Sequence, residues 1–324
     1  MGKNDNRVLW IDVLRGIAIF LVVFGHIGNG LDDFFIWTSP VKMPLFFAIS
    51  GFLYNASTGI KIKHLFFRLG IPYCIFSFMP VLLIHSIYTG SALDYIVKFV
   101  FGWFIPTFFF TSLLFRIEVI YLKNLKYVLT SSIFIALLGY IIPETQWMKT
   151  CVFRTILISQ LFMVIGYLWK KFFYTKKFQL NIPIFILNIA LYSLLTFATY
   201  KYYPNQSIDV HLSNYYNVVV CFILIISGMY LIYLIIRCLE FYFLKYKPVK
   251  HTLGVLSIIG KYSIVIFLLQ GPLSFVFSRT LAVVYPLDNK SWITSLVYSS
   301  LIVCISVIIS IFIDKRYPKL LGFK

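Results

Sequence analysis

The sequence predicts an all-α protein: a polytopic membrane helical bundle of about ten transmembrane helices, with both termini in the cytoplasm. Three observations carry that prediction. Of the 324 residues, 60% are hydrophobic and only 12% are charged, with a mean hydropathy of +0.88. A soluble domain has about twice that charged fraction. Apolar runs of about 20 residues, long enough to cross a bilayer core, recur along the whole chain. Basic residues cluster in alternate loops between those runs, the positive-inside pattern. A β-barrel would instead show alternating segments of about 10 residues, and none is visible.

The apolar runs place spans near 8–30, 41–58, 66–88, 99–120, 126–142, 150–169, 181–201, 215–237, 254–284 and 292–313. The first follows a short polar stretch, MGKNDNR, and resembles a signal peptide in length. No small-x-small cleavage site closes its apolar core, so it is read as an uncleaved first span. The third opens behind a basic loop carrying Lys61, Lys63 and Arg68, and the seventh behind Lys170, Lys171, Lys176 and Lys177. The ninth is long and contains Gly271-Pro272, where a kink or break is expected. With the N-terminus placed inside, 21 of the 29 basic residues fall on the cytoplasmic side and seven on the other, with Arg15 in the membrane. That bias supports an even number of spans and an N-in, C-in topology. No linker or internal repeat is visible, so residues 1–324 are expected to form one membrane-embedded domain without a soluble domain.

The formal net charge of +18 belongs to those loops, and nucleic acid is excluded as a partner. The five cysteines contain no CxxC pair and fall mostly within apolar runs, so neither a disulfide framework nor a metal site is indicated.

The first span carries the chemistry. DVLRGIAIFLVVFGH begins with Asp12 and Arg15 and closes with His26. Eleven residues at 100° each return Arg15 and His26 to one helix face, roughly 16 Å apart along the axis. Asp12, three residues before Arg15, can pair with it. Arg15 read alone is satisfied by snorkelling to the cytoplasmic interface. His26 is harder to dismiss, because ionisable residues inside a membrane face cavities and work there.

These residues resemble a known family. Asp12-x-x-Arg15-Gly16, with ten residues between Arg15 and His26, resembles the first-helix signature of the acyltransferase-3 family of integral membrane O-acyltransferases. Met43-Pro44-Leu45-Phe46-Phe47-Ala48-Ile49-Ser50-Gly51-Phe52-Leu53 is similar to its second-helix motif. Arg68-Leu69-Gly70-Ile71-Pro72-Tyr73 resembles the start of its third helix, and Gly102-Trp103-Phe104-Ile105-Pro106 its Trp-Phe-Leu motif. Gly260-Lys261-Tyr262-Ser263-Ile264-Val265-Ile266-Phe267-Leu268-Leu269 resembles a late motif that usually ends in histidine. Here Gln270 follows, and Leu65 stands where the family often has a second arginine before its third helix.

The resemblance implies transfer of an acyl group, usually acetyl, from cytoplasmic acetyl-CoA as cosubstrate to a sugar hydroxyl of an envelope or capsular polysaccharide or its lipid-linked precursor. No metal is implied, and the setting is a bacterial inner or plasma membrane. The residues permit this chemistry. Arg68, Lys61 and Lys63 can hold the phosphates of coenzyme A, and Arg15 can guide the part that enters the membrane. His26 can act as general base on the attacking hydroxyl, or be acylated itself; both routes stay open. Ser50, Trp103 and Gln270 are the substrate-binding candidates. Ser50 also suits close helix packing beside Gly51, and Trp103 also suits an interfacial belt. The expected partners are a glycan or lipid-linked sugar acceptor and membrane lipids, while a homo-oligomer or a polysaccharide-assembly partner stays open. The competing class is a transporter or flippase for a lipid-linked glycan or small solute, which has no need to bind coenzyme A.

Overall fold

The computed structural model describes residues 8–27, 32–84, 103–143, 152–174, 178–203, 208–210, 215–284 and 292–317. The described residues form eleven α-helices: α1 (Leu9–Ile27), α2 (Asp32–Leu53), α3 (Ile62–Ile84), α4 (Phe104–Leu122), α5 (Leu125–Ile141), α6 (Phe153–Phe172), α7 (Ile182–Tyr202), α8 (Val218–Phe243), α9 (Lys247–Lys261), α10 (Ser263–Val284) and α11 (Trp292–Arg316). The described part of each apolar run is largely helical, the ninth forming α9 and α10 together. Among the described residues, six helical segments are long and apolar enough to cross a membrane, and α9 with α10 makes a seventh if that bent pair is one span.

Helix α1 is the hub, packed against α2, α8, α9, α10 and α11, while α6 is a second centre touching α2, α4 and α5. Two pairs of glycines set the closest approaches. A Cβ on Gly16 would land on the Leu256 carbonyl oxygen of α9, and one on Gly260 would land on the Asp12 carbonyl oxygen of α1. Likewise a Cβ on Gly51 would meet the Met163 carbonyl of α6, and one on Gly166 the Ala48 carbonyl of α2. These are backbone-to-backbone crossings of the small-residue type that membrane helices use.

The ninth run departs from expectation. The chain bends by 76° between α9 and α10, at Tyr262, while α10 continues as helix through Pro272. The cause lies in the contacts at the bend. Asp314 of α11 accepts from Lys261 Nζ at 2.7 Å and from Tyr262 Oη at 2.8 Å, and the Tyr262 N–H closes α9 onto the Ile258 and Ile259 carbonyls. α9 is amphipathic: Lys247, Lys250 and His251 are exposed, while Leu253 and Gly260 are buried. The polar α9 therefore takes a different direction from the apolar α10. Pro272 removes one helix hydrogen bond, and the neighbours α1, α3 and α11 hold α10 in place around it. α2 also starts earlier than expected, at Asp32 where the sequence placed a loop up to residue 40, and carries Pro40 and Pro44 inside it.

Candidate functional site

A cavity of about 350 Å³ opens among α1, α2, α3, α4 and the α9–α10 bend. Each wall follows from helical spacing. On α4, Phe104, Phe108, Ser112 and Arg116 recur every four residues and line it over three turns, roughly 18 Å. On α3 and the residue before it, Lys61, His64 and Arg68 share one face. α2 contributes Phe46, Ser50 and Leu53, α1 contributes Arg15, and the bend contributes Lys261 and Tyr262.

The cavity is polarised along its length. Arg116, Lys61 and His64 stand at one end, and the rings of Phe46, Phe104, Phe108 and Phe267 close the other. Phe104 meets Phe267 with centroids 4.6 Å apart and Phe46 at 5.8 Å. Arg15 lies deeper than the mouth. Trp10 packs on Phe52 at 5.2 Å, so in these antiparallel helices Arg15 is level with about Phe47, a turn and a half further in. The Arg15 guanidinium sits 3.5 Å from the Asp12 carboxylate, with the two side chains 20% and 8% exposed, as the i, i+3 spacing predicts. No carboxylate lines the cavity among the described residues. The cavity is therefore a cation-rimmed pocket with an aromatic floor, suited to an anion carrying a thin, less polar tail.

Several of the residues singled out from sequence meet here and others do not. Arg15, Ser50, Lys61 and Arg68 all line the cavity. Lys63 is exposed on the other face of α3, because one residue of helix turns a side chain about 100° away from His64. Trp103 is half-buried beside the aromatic floor, its ring 5.8 Å from Phe104. Gln270 is 5% exposed, one turn beyond Phe267, and its Oε1 lacks a hydrogen-bond partner among the described residues. His26 is exposed in the last turn of α1 and is not part of this cavity's lining. His85, Lys98 and His211 lie outside the described residues.

Gln270 gives a prediction. Replacing a buried side chain whose carbonyl oxygen has no partner with an apolar one of similar volume is near neutral or stabilising, so Gln270→Met is expected to unfold at or above the wild-type temperature. A drop in transfer rate in that stable variant, measured beside its thermal unfolding, would mark Gln270 as a substrate contact.

Arg116 and Lys261 also line the cavity, although neither is among the site residues expected from the sequence. The four-residue period from Phe104 to Arg116 was the available signal for the first, and the motif around Gly260 for the second. Arg116 Nη1 donates to the Ile60 carbonyl at 2.7 Å, and its guanidinium lies 5.3 Å from the Tyr54 ring centre. Burial pushes the Tyr54 phenol above its ordinary range, with the Arg116 guanidinium pulling the other way. A second, smaller cavity of about 80 Å³ between α1, α2, α6 and α8 is lined by apolar and aromatic side chains, Trp10, Trp169 and Tyr233 among them, and contains no cation.

Apolar helices of span length around a cavity lined by cations define the class, a multi-pass integral membrane protein with a cationic cavity inside its helical domain. The family model for the acyltransferase domain of the acyltransferase-3 family matches residues 8–313, and the chain belongs to that family. It is a multi-pass membrane acyltransferase. No curated protein and no solved structure matches the chain.

Proposed function

We propose that this protein is a membrane O-acetyltransferase that takes acetyl-CoA from the cytoplasm and acetylates a sugar hydroxyl of an envelope or capsular polysaccharide, or of its lipid-linked precursor. The observation that carries this reading is the cavity, with cations at its mouth, no lining carboxylate and an aromatic inner end. Coenzyme A is a polyanion with a long, narrow thiol arm. Lys61, Arg68 and Arg116 hold the phosphates, and the arm runs inward past Arg15 and Ser50. His26 serves as base or acyl carrier at the far end of α1. The positive-inside bias of the loops supports an N-in orientation, which would set the mouth on the cytoplasmic face of a bacterial inner membrane, where the donor is made.

Acetyl transfer balances without a further reactant. The acceptor oxygen attacks the thioester carbonyl, the carbon–sulfur bond breaks, and the hydroxyl proton passes through the base to the departing thiolate. The test is label transfer from radiolabelled acetyl-CoA into the cell-surface glycan fraction, together with coenzyme A binding by the full chain in nanodiscs. Label appearing only in cells that express the protein is the expected result. A protein that inserts but binds no coenzyme A would overturn the reading.

A further inference from the structure

The short segment between α2 and α3 is held more firmly than a simple connection needs. Tyr54 Oη donates to the Gly59 carbonyl at 3.3 Å, and Lys170 Nζ of α6 donates to the Tyr54 carbonyl at 3.4 Å. Asn55 Oδ1 accepts from the Ser57 N–H at 3.2 Å and caps the 3₁₀ turn Ala56–Thr58. Arg116, from α4, takes the Ile60 carbonyl at 2.7 Å. The next residue, Lys61, has a φ of 46°. That left-handed conformation is unfavourable for a residue with a side chain and persists only where its surroundings enforce it.

A connecting loop has no use for lysine there, since glycine would take the same backbone without strain. What lysine adds is an ammonium side chain on the cavity wall, carried on backbone that directly follows the carbonyl held by Arg116. Neither cation has an ion pair among the described residues, and both line the cavity. Arg116 spends one of its five N–H donors on Ile60 and keeps the rest of its fork. Two like charges lining one cavity mouth, one of them at the cost of backbone strain, are offset when an anion binds between them.

We infer that Arg116 and Lys61 form a phosphate clamp, in which Arg116 both binds the anion and, through the Ile60 carbonyl, fixes the backbone that aims Lys61 at it. The inference rests on the reading that the cavity takes a coenzyme A thioester. It assigns to Arg116 and its loop, rather than to the α3 cations alone, the selection of a phosphorylated donor.

The test compares equilibrium binding of coenzyme A to the full chain in nanodiscs with that of four variants. Lys61→Gly keeps the backbone relaxed and removes only the ammonium. Arg116→Lys keeps a donor for Ile60 but loses the fork. Arg116→Gln removes the charge. Each single variant is expected to weaken binding about 10- to 100-fold, the equivalent of one or two charge-assisted hydrogen bonds. Lys61→Gly and Arg116→Lys are expected to unfold no earlier than wild type. The double variant Lys61→Gly with Arg116→Lys is expected to lose less than the product of the single losses, because the two groups hold one anion. Wild-type affinity in both Lys61→Gly and Arg116→Lys would overturn the clamp. If the wild type binds no coenzyme A, the donor reading fails instead, and inorganic pyrophosphate then tests the clamp alone. Protection of Lys61 from an amine-labelling reagent by pyrophosphate in wild type, lost in Arg116→Lys, would support it, and no protection in wild type would overturn it.

Discussion

His26→Ala is expected to lower acetyl transfer by about 10²- to 10⁴-fold, the usual contribution of a general base, while leaving membrane insertion and coenzyme A affinity unchanged. The separation of effects follows from α1. Arg15 is on the cavity wall, whereas His26 is exposed eleven residues further along the same helix, roughly 16 Å away. Between them Ile19, Val22 and Val23 are buried, so α1 is anchored in the core and the far end has no reason to shift the near one. Arg15→Gln should therefore do the reverse and weaken donor binding. If His26 carries the acyl group, wild-type protein given labelled donor without acceptor should itself become labelled, and His26→Ala should not. Wild-type rates of glycan acetylation in His26→Ala would remove His26 from the mechanism.

How far the sequence exposes this arrangement depends on which interaction is local. The helices are legible because apolar runs of span length leave the backbone little choice in lipid. The Asp12–Arg15 pair is legible because both partners sit on one helix turn, and it is found at 3.5 Å. Arg68 and Lys61 are legible as cations near a helix start. What the sequence hides is long-range. Nothing local says that Arg116 bonds a carbonyl 56 residues earlier, or that Asp314 reaches back to Lys261 and bends the ninth run at Tyr262. A proline is a visible breaker, so Gly271-Pro272 drew the expectation, yet the break is made by a tertiary carboxylate. Lys63 illustrates helical phase, which residue type alone does not carry: one residue of helix separates it from His64 and leaves it out of the cavity lining.

The glycines supply the largest structural effect. In a helix interior, glycine to alanine ordinarily stabilises by about 1 kcal/mol, and Gly254→Ala, with nothing within 4 Å of the added Cβ, should do so. Gly16→Ala and Gly260→Ala should have the opposite sign. Their Cβ atoms would lie on the carbonyl oxygens of Leu256 and Asp12, and a carbonyl in a helix has no rotamer through which to retreat. The helices must separate, which for overpacking in a filled core costs about 1–3 kcal/mol and occasionally more. Gly51→Ala and Gly166→Ala should behave alike between α2 and α6. Thermal unfolding of the detergent-purified chain decides the matter, and a Gly16→Ala protein as stable as Gly254→Ala would show that the α1–α9 crossing has room for a methyl group. The consequence reaches the site. Gly260 is followed by the residues that form one wall of the cavity, and its partner on α1 is Asp12, which pairs with Arg15. Pushing α9 away from α1 therefore moves two cavity walls apart at the level of Arg15, so Gly260→Ala should lose coenzyme A affinity as well as stability, whereas Gly254→Ala, whose added Cβ meets nothing, should keep both.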